Sequence, residues 1–201
     1  MVAVIDYSTG NLCSVENALR RLGTDYVLVT CERDILKASH VILPGVGQAS
    51  AAMGALRDTG LDRVIPSLRQ PVLGICIGMQ LMCERSDEGD VECMGIFGTR
   101  VSRLEASGGL KVPHVGWNTV TGLDSPLFSG IRDGEYVYYV HSYAPRLCGD
   151  TAAVTEYGIR FSGALRRNNF FGTQFHPEKS GGAGERILEN FLSGAMTGLQ
   201  S

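Results

Sequence analysis

The sequence predicts one α/β domain: a mainly parallel central sheet flanked by helices, with an antiparallel extension. Three observations predict it. Short apolar strands alternate with amphipathic helices through the first half, which calls for parallel strands joined by helical crossovers. The second half is strand-rich and punctuated by turn residues. The 201 residues are 44% hydrophobic and 19% charged, an ordinary globular composition at a length that suits one core.

Val2–Ile5 reads as a buried strand. Leu12–Leu22 reads as a helix with Val15, Leu19 and Leu22 on one face, closed by Gly23. Asp25–Thr30 is the second strand, and Val41–Leu43 the third, stopped by Pro44-Gly45. Ala51–Arg57 is helical, and Leu61–Arg69 is a further short turn interrupted by Pro66. Val72–Ile75 is the next strand and Gly78–Glu84 the next helix. The stretches Val101–Val120 and Glu135–Gln174 are strand-rich, with turns at Ser107-Gly108-Gly109, Tyr157-Gly158 and Asn168-Asn169. A helix from about Gly184 to Leu192 closes the fold. No repeat, linker or low-complexity segment interrupts it.

Composition excludes several classes of function. Formal net charge is −3, and the pair Arg166-Arg167 is too small a basic cluster for a nucleic-acid surface. No apolar stretch approaches the roughly 20 residues of a membrane helix. The first residues enter a strand at once, without a basic segment or cleavage site of a secretory signal. The six cysteines, at 13, 31, 76, 83, 93 and 148, include no C-x-x-C and fit neither a zinc site nor a disulfide scaffold. The expectation is a cytoplasmic protein with no metal and no cofactor.

The chemistry centres on Gly74-Ile75-Cys76-Ile77-Gly78, the cysteine form of a nucleophile elbow. The thiol sits between an apolar strand and a helix. Flanking glycines let the two approach closely, and the first helical amides favour negative charge on sulfur. Alone, Cys76 also fits a small buried hydrophobe, as Cys83 does two helical turns later. His176-Pro177-Glu178 supplies the complement. Proline biases His176 toward extended geometry, in which residues i and i+2 share a side. Glu178 can then orient the imidazole of His176, the proton shuttle of a Cys-His-Glu triad. A loop histidine beside a solvated glutamate is the plainer alternative.

Two loops lie at carboxyl ends of predicted parallel strands, where α/β sheets bind ligands. Pro44-Gly45-Val46-Gly47 combines two glycines in four residues and can offer an oxyanion-hole amide, or be an ordinary turn. Asp6-Tyr7-Ser8-Thr9-Gly10-Asn11 opens the first helix, with Ser8 or Asn11 as its N-cap.

Gly74–Gln80 together with Phe175–Ser180 resembles the class I, triad-type glutamine amidotransferases. Asp6-Tyr7, Gly10-Asn11-Leu12, Ser14-Val15, Leu43–Gly47, His114–Asn118 and Tyr139–Tyr143 narrow the resemblance to glutaminase subunits of imidazole glycerol phosphate synthases. It covers essentially the whole chain, 1–201, as one flavodoxin-like domain. It implies that Cys76 attacks the side-chain amide of L-glutamine to form a thioester, with His176 and Glu178 moving the protons. It implies an oxyanion hole from the Ile77 amide and one from Gly45 or Val46, the latter reorienting to complete it. Gly47, Gln80, Ser142 and Tyr143 match positions that hold glutamine, although Gln80 also fits a polar helix face and Ser142 and Tyr143 strand-end packing.

The same resemblance implies a partner, a (β/α)8-barrel cyclase subunit on a separate chain, since no barrel lies within these residues. The cyclase receives the ammonia and makes imidazole glycerol phosphate and an aminoimidazole carboxamide ribonucleotide in histidine biosynthesis. Asn11, Trp117, Tyr138 and Lys179 match its docking face in the heterodimer, with a core aromatic as the alternative for Trp117. Other class I glutaminases serve anthranilate, aminodeoxychorismate, guanylate or pyridoxal phosphate synthesis. The Leu43–Gly47 and His114–Asn118 segments argue against the first three. A non-catalytic binding module of the same fold is disfavoured by the presence of all three triad residues.

Overall fold

A computed structural model describes residues 1–7, 12–45, 47–105 and 109–193. The strands are β1 (Val2–Ile5), β2 (Tyr26–Val29), β3 (His40–Leu43), β4 (Val72–Ile75), β5 (Arg85–Ser86), β6 (Val91–Glu92) and β7 (Arg100–Arg103). They continue with β8 (His114–Val120), β9 (Glu135–His141), β10 (Tyr143–Pro145), β11 (Thr151–Tyr157), β12 (Ile159–Arg167) and β13 (Phe170–Thr173). The helices are α1 (Cys13–Arg21), α2 (Glu32–Ile35), α3 (Ala49–Thr59), α4 (Leu61–Val64), α5 (Ile77–Leu81) and α6 (Gly181–Leu192).

The central sheet has seven strands in the order β11-β12-β13-β4-β3-β1-β2. Its β13-β4-β3-β1-β2 portion is parallel, and β11 and β12 add an antiparallel edge. The buried strands read as continuous apolar runs because both faces are covered. Register positions the site. Leu43 pairs with Gly74, and Thr173 pairs with Ile75. The segments that leave β3, β4 and β13 therefore start side by side at one sheet edge. They carry Pro44-Gly45, Cys76 and Gln174–Glu178 respectively. The core includes Phe171, Phe175, Phe191 and Tyr139, each fully buried.

Two smaller sheets complete the fold, β10-β7-β5-β6 and the antiparallel pair β8-β9. In the latter, Trp117 faces Tyr138 and Val115 faces Val140 across the strands.

Several boundaries differ from expectation. The helix after the elbow ends at Leu81 rather than Glu84. The Glu84 amide donates instead to the Thr99 carbonyl, at 2.9 Å, and draws the chain away. Helix α6 starts at Gly181, three residues before the predicted start, in a glycine-rich turn with weak helical propensity. Pro66 ends α4 in a 3-10 turn, as its missing N–H requires. Helix α2 and the two-residue strands β5 and β6 were absent from the sequence reading; they are too short to carry periodicity. Ser107, Gly108, Ser8 and Asn11 lie outside the described residues. Helix α1 closes as expected, with Gly23 at φ 63°.

Candidate active site

Cys76 adopts φ 51° and ψ −108°, a conformation that costs a side-chain-bearing residue on the order of 1–3 kcal/mol. Its neighbours impose it. The Cys76 amide donates to the Thr173 carbonyl at 2.7 Å, and its carbonyl accepts from the Gln80 amide at 3.1 Å. Two backbone approaches then leave no room for a side chain. A Cβ on Gly45 would lie 1.8 Å from the Ile75 carbonyl oxygen, and one on Gly78 would lie 2.0 Å from that of Leu43. The Tyr7 hydroxyl donates to the Pro44 carbonyl and ties β1 to the loop leaving β3.

His176 follows β13 and donates its backbone amide to the Tyr138 carbonyl at 2.9 Å. Its Nδ1 lies 2.7 Å from Glu178 Oε1, with both side chains about 95% buried. His176 is itself extended, as predicted, at φ −98° and ψ 98°, but the residues after it are not. Pro177–Lys179 form a 3-10 turn, and the pair meets across that turn. The fixed φ of Pro177 suits its first position. His176 Nε2 is buried without a hydrogen-bond partner, yet near enough to the Cys76 sulfur for their charges to interact. Burial opposes charge on His176, but the Cys76 sulfur and the Glu178 carboxylate outweigh it and raise the imidazole from 6.5 to about 10. The folded value lies above the unfolded one. This proton therefore contributes stability that is complete below pH 6.5 and is lost as pH rises to about 10.

Glu178→Gln is expected to pull that titration down from about 10, read from the imidazole resonances of His176 by NMR. It is also expected to lower the kcat of any reaction the triad carries out by on the order of 10²-fold or more, through loss of imidazolium stabilisation. An unchanged kcat would show that Glu178 does not support His176.

Cys76 and His176 open into one cavity of about 320 Å³, lined also by Gly45, Gly47, Ile77, Gln80, Ser142, Tyr143 and Lys179. Gln80 is 1% exposed and donates through Nε2 to the Tyr143 carbonyl at 2.8 Å and to Gln174 Oε1 at 2.9 Å. Its Oε1 is buried without a partner, an acceptor waiting for a donor. Sequence reasoning missed Glu88, which lines the same cavity. One of its carboxylate oxygens accepts from the Ala49 amide at 2.8 Å and caps α3. Nothing around Glu88 in the sequence marks it, because the contact spans 39 residues.

Two further buried imidazoles adjoin the cavity, which His141 lines. His114 Nδ1 is 3.0 Å from His141 Nε2, and His141 Nδ1 is 2.8 Å from the Tyr143 carbonyl. Burial lowers His141 to about 3 and His114 to about 4. Both are neutral near pH 7, and the chain of donors is directional.

The remaining expectations concern the surface. Trp117 is 55% exposed, so it is not a core aromatic. Its ring meets that of Tyr138 edge-on, with centroids 5.9 Å apart. Val115, Tyr136 and Val140 are exposed on the same face of β8-β9 and extend an apolar patch that the sequence reading had not identified. Lys179 is exposed at the cavity mouth beside Val140. Asn11 and Val46 lie outside the described residues. Among the described residues, no cluster of three His, Cys, Asp or Glu could hold a metal, and no helix is long and apolar enough to cross a membrane.

The comparisons converge with this geometry. A family model described as glutamine amidotransferase class-I matches residues 3–195. The chain is 55% identical over 193 residues to the imidazole glycerol phosphate synthase subunit HisH of Bacteroides fragilis (strain YCH46), covering 95% of this chain and 98% of that one. It is 46% identical over 194 residues to a subunit HisH 2 of Legionella pneumophila subsp. pneumophila, covering 96% and 98%. A solved glutamine amidotransferase superposes with a TM-score of 0.75 at 18% identity, over 98% of this chain and 100% of that one, which is a likeness of fold.

Proposed function

The chain belongs to the class-I glutamine amidotransferase family, and on that premise we propose that it is the glutaminase subunit of an imidazole glycerol phosphate synthase. The observation that carries the reading is a thiol on a strained elbow and a buried His-Glu pair opening into one cavity.

The Cys76 thiolate attacks the side-chain amide carbon of L-glutamine. The tetrahedral oxyanion accepts from the Ile77 amide and from one in the Gly45-Val46 segment. His176 gives its proton to the departing nitrogen, which leaves as ammonia with a glutamyl thioester on Cys76. The now neutral His176 takes a proton from water, whose oxygen attacks the thioester and releases glutamate. Glu178 holds the imidazole through both steps. Gly47, Gln80, Ser142 and Tyr143 hold the amino-acid head, and the Glu88 carboxylate faces its ammonium. Ammonia passes to a (β/α)8-barrel cyclase subunit bound over Asn11, Trp117, Tyr138 and Lys179. That partner incorporates the nitrogen and makes imidazole glycerol phosphate and an aminoimidazole carboxamide ribonucleotide. The setting proposed is the cytoplasm, since no disulfide joins any of the six cysteines.

The test is glutamine labelled with ¹⁵N in its amide, supplied with and without the cyclase and its nucleotide substrate. Slow glutamate release by the chain alone, faster release in the loaded complex, and ¹⁵N in the imidazole product are expected. Absence of glutamate release from the loaded complex would overturn the reading.

A further inference from the structure

We infer that Gln174 is a further catalytic residue, whose side-chain amide donates to the Cys76 sulfur and favours its thiolate. Gln174 is fully buried directly after β13, and its Nε2 lies 3.5 Å from Cys76 Sγ. A buried, uncharged side chain favours charge on the nucleophile only if its donor end faces the sulfur.

The surrounding network forces that orientation. The Tyr143 carbonyl can only accept, so the group of Gln80 that lies 2.8 Å from it is the NH₂. The second hydrogen of the same NH₂ points to Gln174 at 2.9 Å, so the Gln174 atom there is the carbonyl oxygen. The other end of the Gln174 amide, toward Cys76, is therefore N–H. His141 reinforces the anchor by sharing the Tyr143 carbonyl at 2.8 Å. Flipping Gln174 would set two NH₂ groups against each other at a fully buried position. One amide thus has a single permitted orientation, fixed by an acceptor-only atom two residues away through the network.

The consequence is electrostatic. An N–H directed at sulfur is stabilising when the sulfur carries charge and nearly neutral when it is a thiol, whose own hydrogen has the Val140 carbonyl within 4.0 Å. Gln174 therefore acts with His176 from a second side of the sulfur. It also restrains Sγ between two partners, which favours a single attack direction.

Gln174→Met tests this at nearly constant volume, and Gln80 keeps the Tyr143 carbonyl in that variant. Iodoacetamide alkylation, read peptide by peptide, reports Cys76 with the exposed Cys13 and Cys31 as internal references. Alkylation of Cys76 at pH 7 is expected to slow by about tenfold relative to the references. In the cyclase complex kcat is expected to fall by a similar factor, with KM within about twofold. The kinetic arm rests on the glutaminase reading; the alkylation arm does not, so the two fail separately. Unchanged Cys76 alkylation in Gln174→Met would overturn the assignment. Should that variant not fold, the side-chain NH₂ resonances of Gln174 in the parent chain decide it: they are expected to shift on Cys76→Ala, and resonances that stay in place would also overturn it.

Discussion

Cys76→Ala is expected to abolish glutamine hydrolysis, with a loss of about 10⁴-fold or more, while the chain stays folded. The size follows from the type of residue removed. A missing nucleophile cannot be compensated by the acid-base pair, and what survives is the small catalysis that binding and an oxyanion hole give alone. The fold survives because alanine keeps the backbone that holds the elbow. Its φ of 51° is imposed by the 2.7 Å bond to Thr173 and by close glycine contacts, none of which involves sulfur. Binding to the cyclase should persist, since the face proposed to meet it, around Trp117 and Lys179, is untouched. A second consequence reaches His176. The sulfur is the foremost of the groups that raise it to about 10, so the imidazole is expected to titrate lower in the variant. Glutamate release by the purified complex at a few per cent of the parent rate would remove Cys76 from the mechanism.

The reach of that prediction depends on what local sequence can encode. Strands β1, β3 and β4 were legible because a strand buried on both faces is a continuous apolar run. The elbow was legible because its glycines and its thiol are adjacent. The His176–Glu178 contact was also legible, although by a turn rather than by extended backbone. Residues that meet across the chain were not. Glu88 enters the cavity and Gln174 reaches the sulfur only through register and loop paths that no periodicity records. Trp117 shows a different limit. In β9, Val137 and Tyr139 are buried while Tyr136 and Val140 are exposed, so both faces are apolar. Alternation cannot then tell core from surface, and Trp117 in the paired strand inherits the ambiguity. The cause is physical: an exposed apolar patch is what the proposed docking face would need, and it erases the polar side of the alternation.

Gly78→Ala is expected to damage both activity and stability, although it adds only one methyl group. Gly78 is the second residue of α5, packed against the end of β3. Its new Cβ would stand 2.0 Å from the Leu43 carbonyl oxygen, 2.8 Å from the Leu43 carbonyl carbon and 3.0 Å from the Pro44 oxygen. All three are backbone atoms of a segment held on both sides in the sheet and by Tyr7, so no side chain can rotate aside. The helix must move instead, by well over 1 Å, to reach ordinary contact. Cys76 precedes that helix and the Ile77 amide begins it, so nucleophile and oxyanion donor are displaced together, away from Gly45. A misplacement of that size costs roughly 10²-fold in rate. Overpacking adds about 1–3 kcal/mol of destabilisation. Gly54→Ala is the matched control: it lies in α3 with nothing within 4 Å of its Cβ, and is expected to be neutral or mildly stabilising. Glutaminase rates and urea midpoints of the two variants, measured side by side, check the argument. Equal behaviour would mean that the elbow tolerates movement and that close approach to β3 is not what sets the nucleophile.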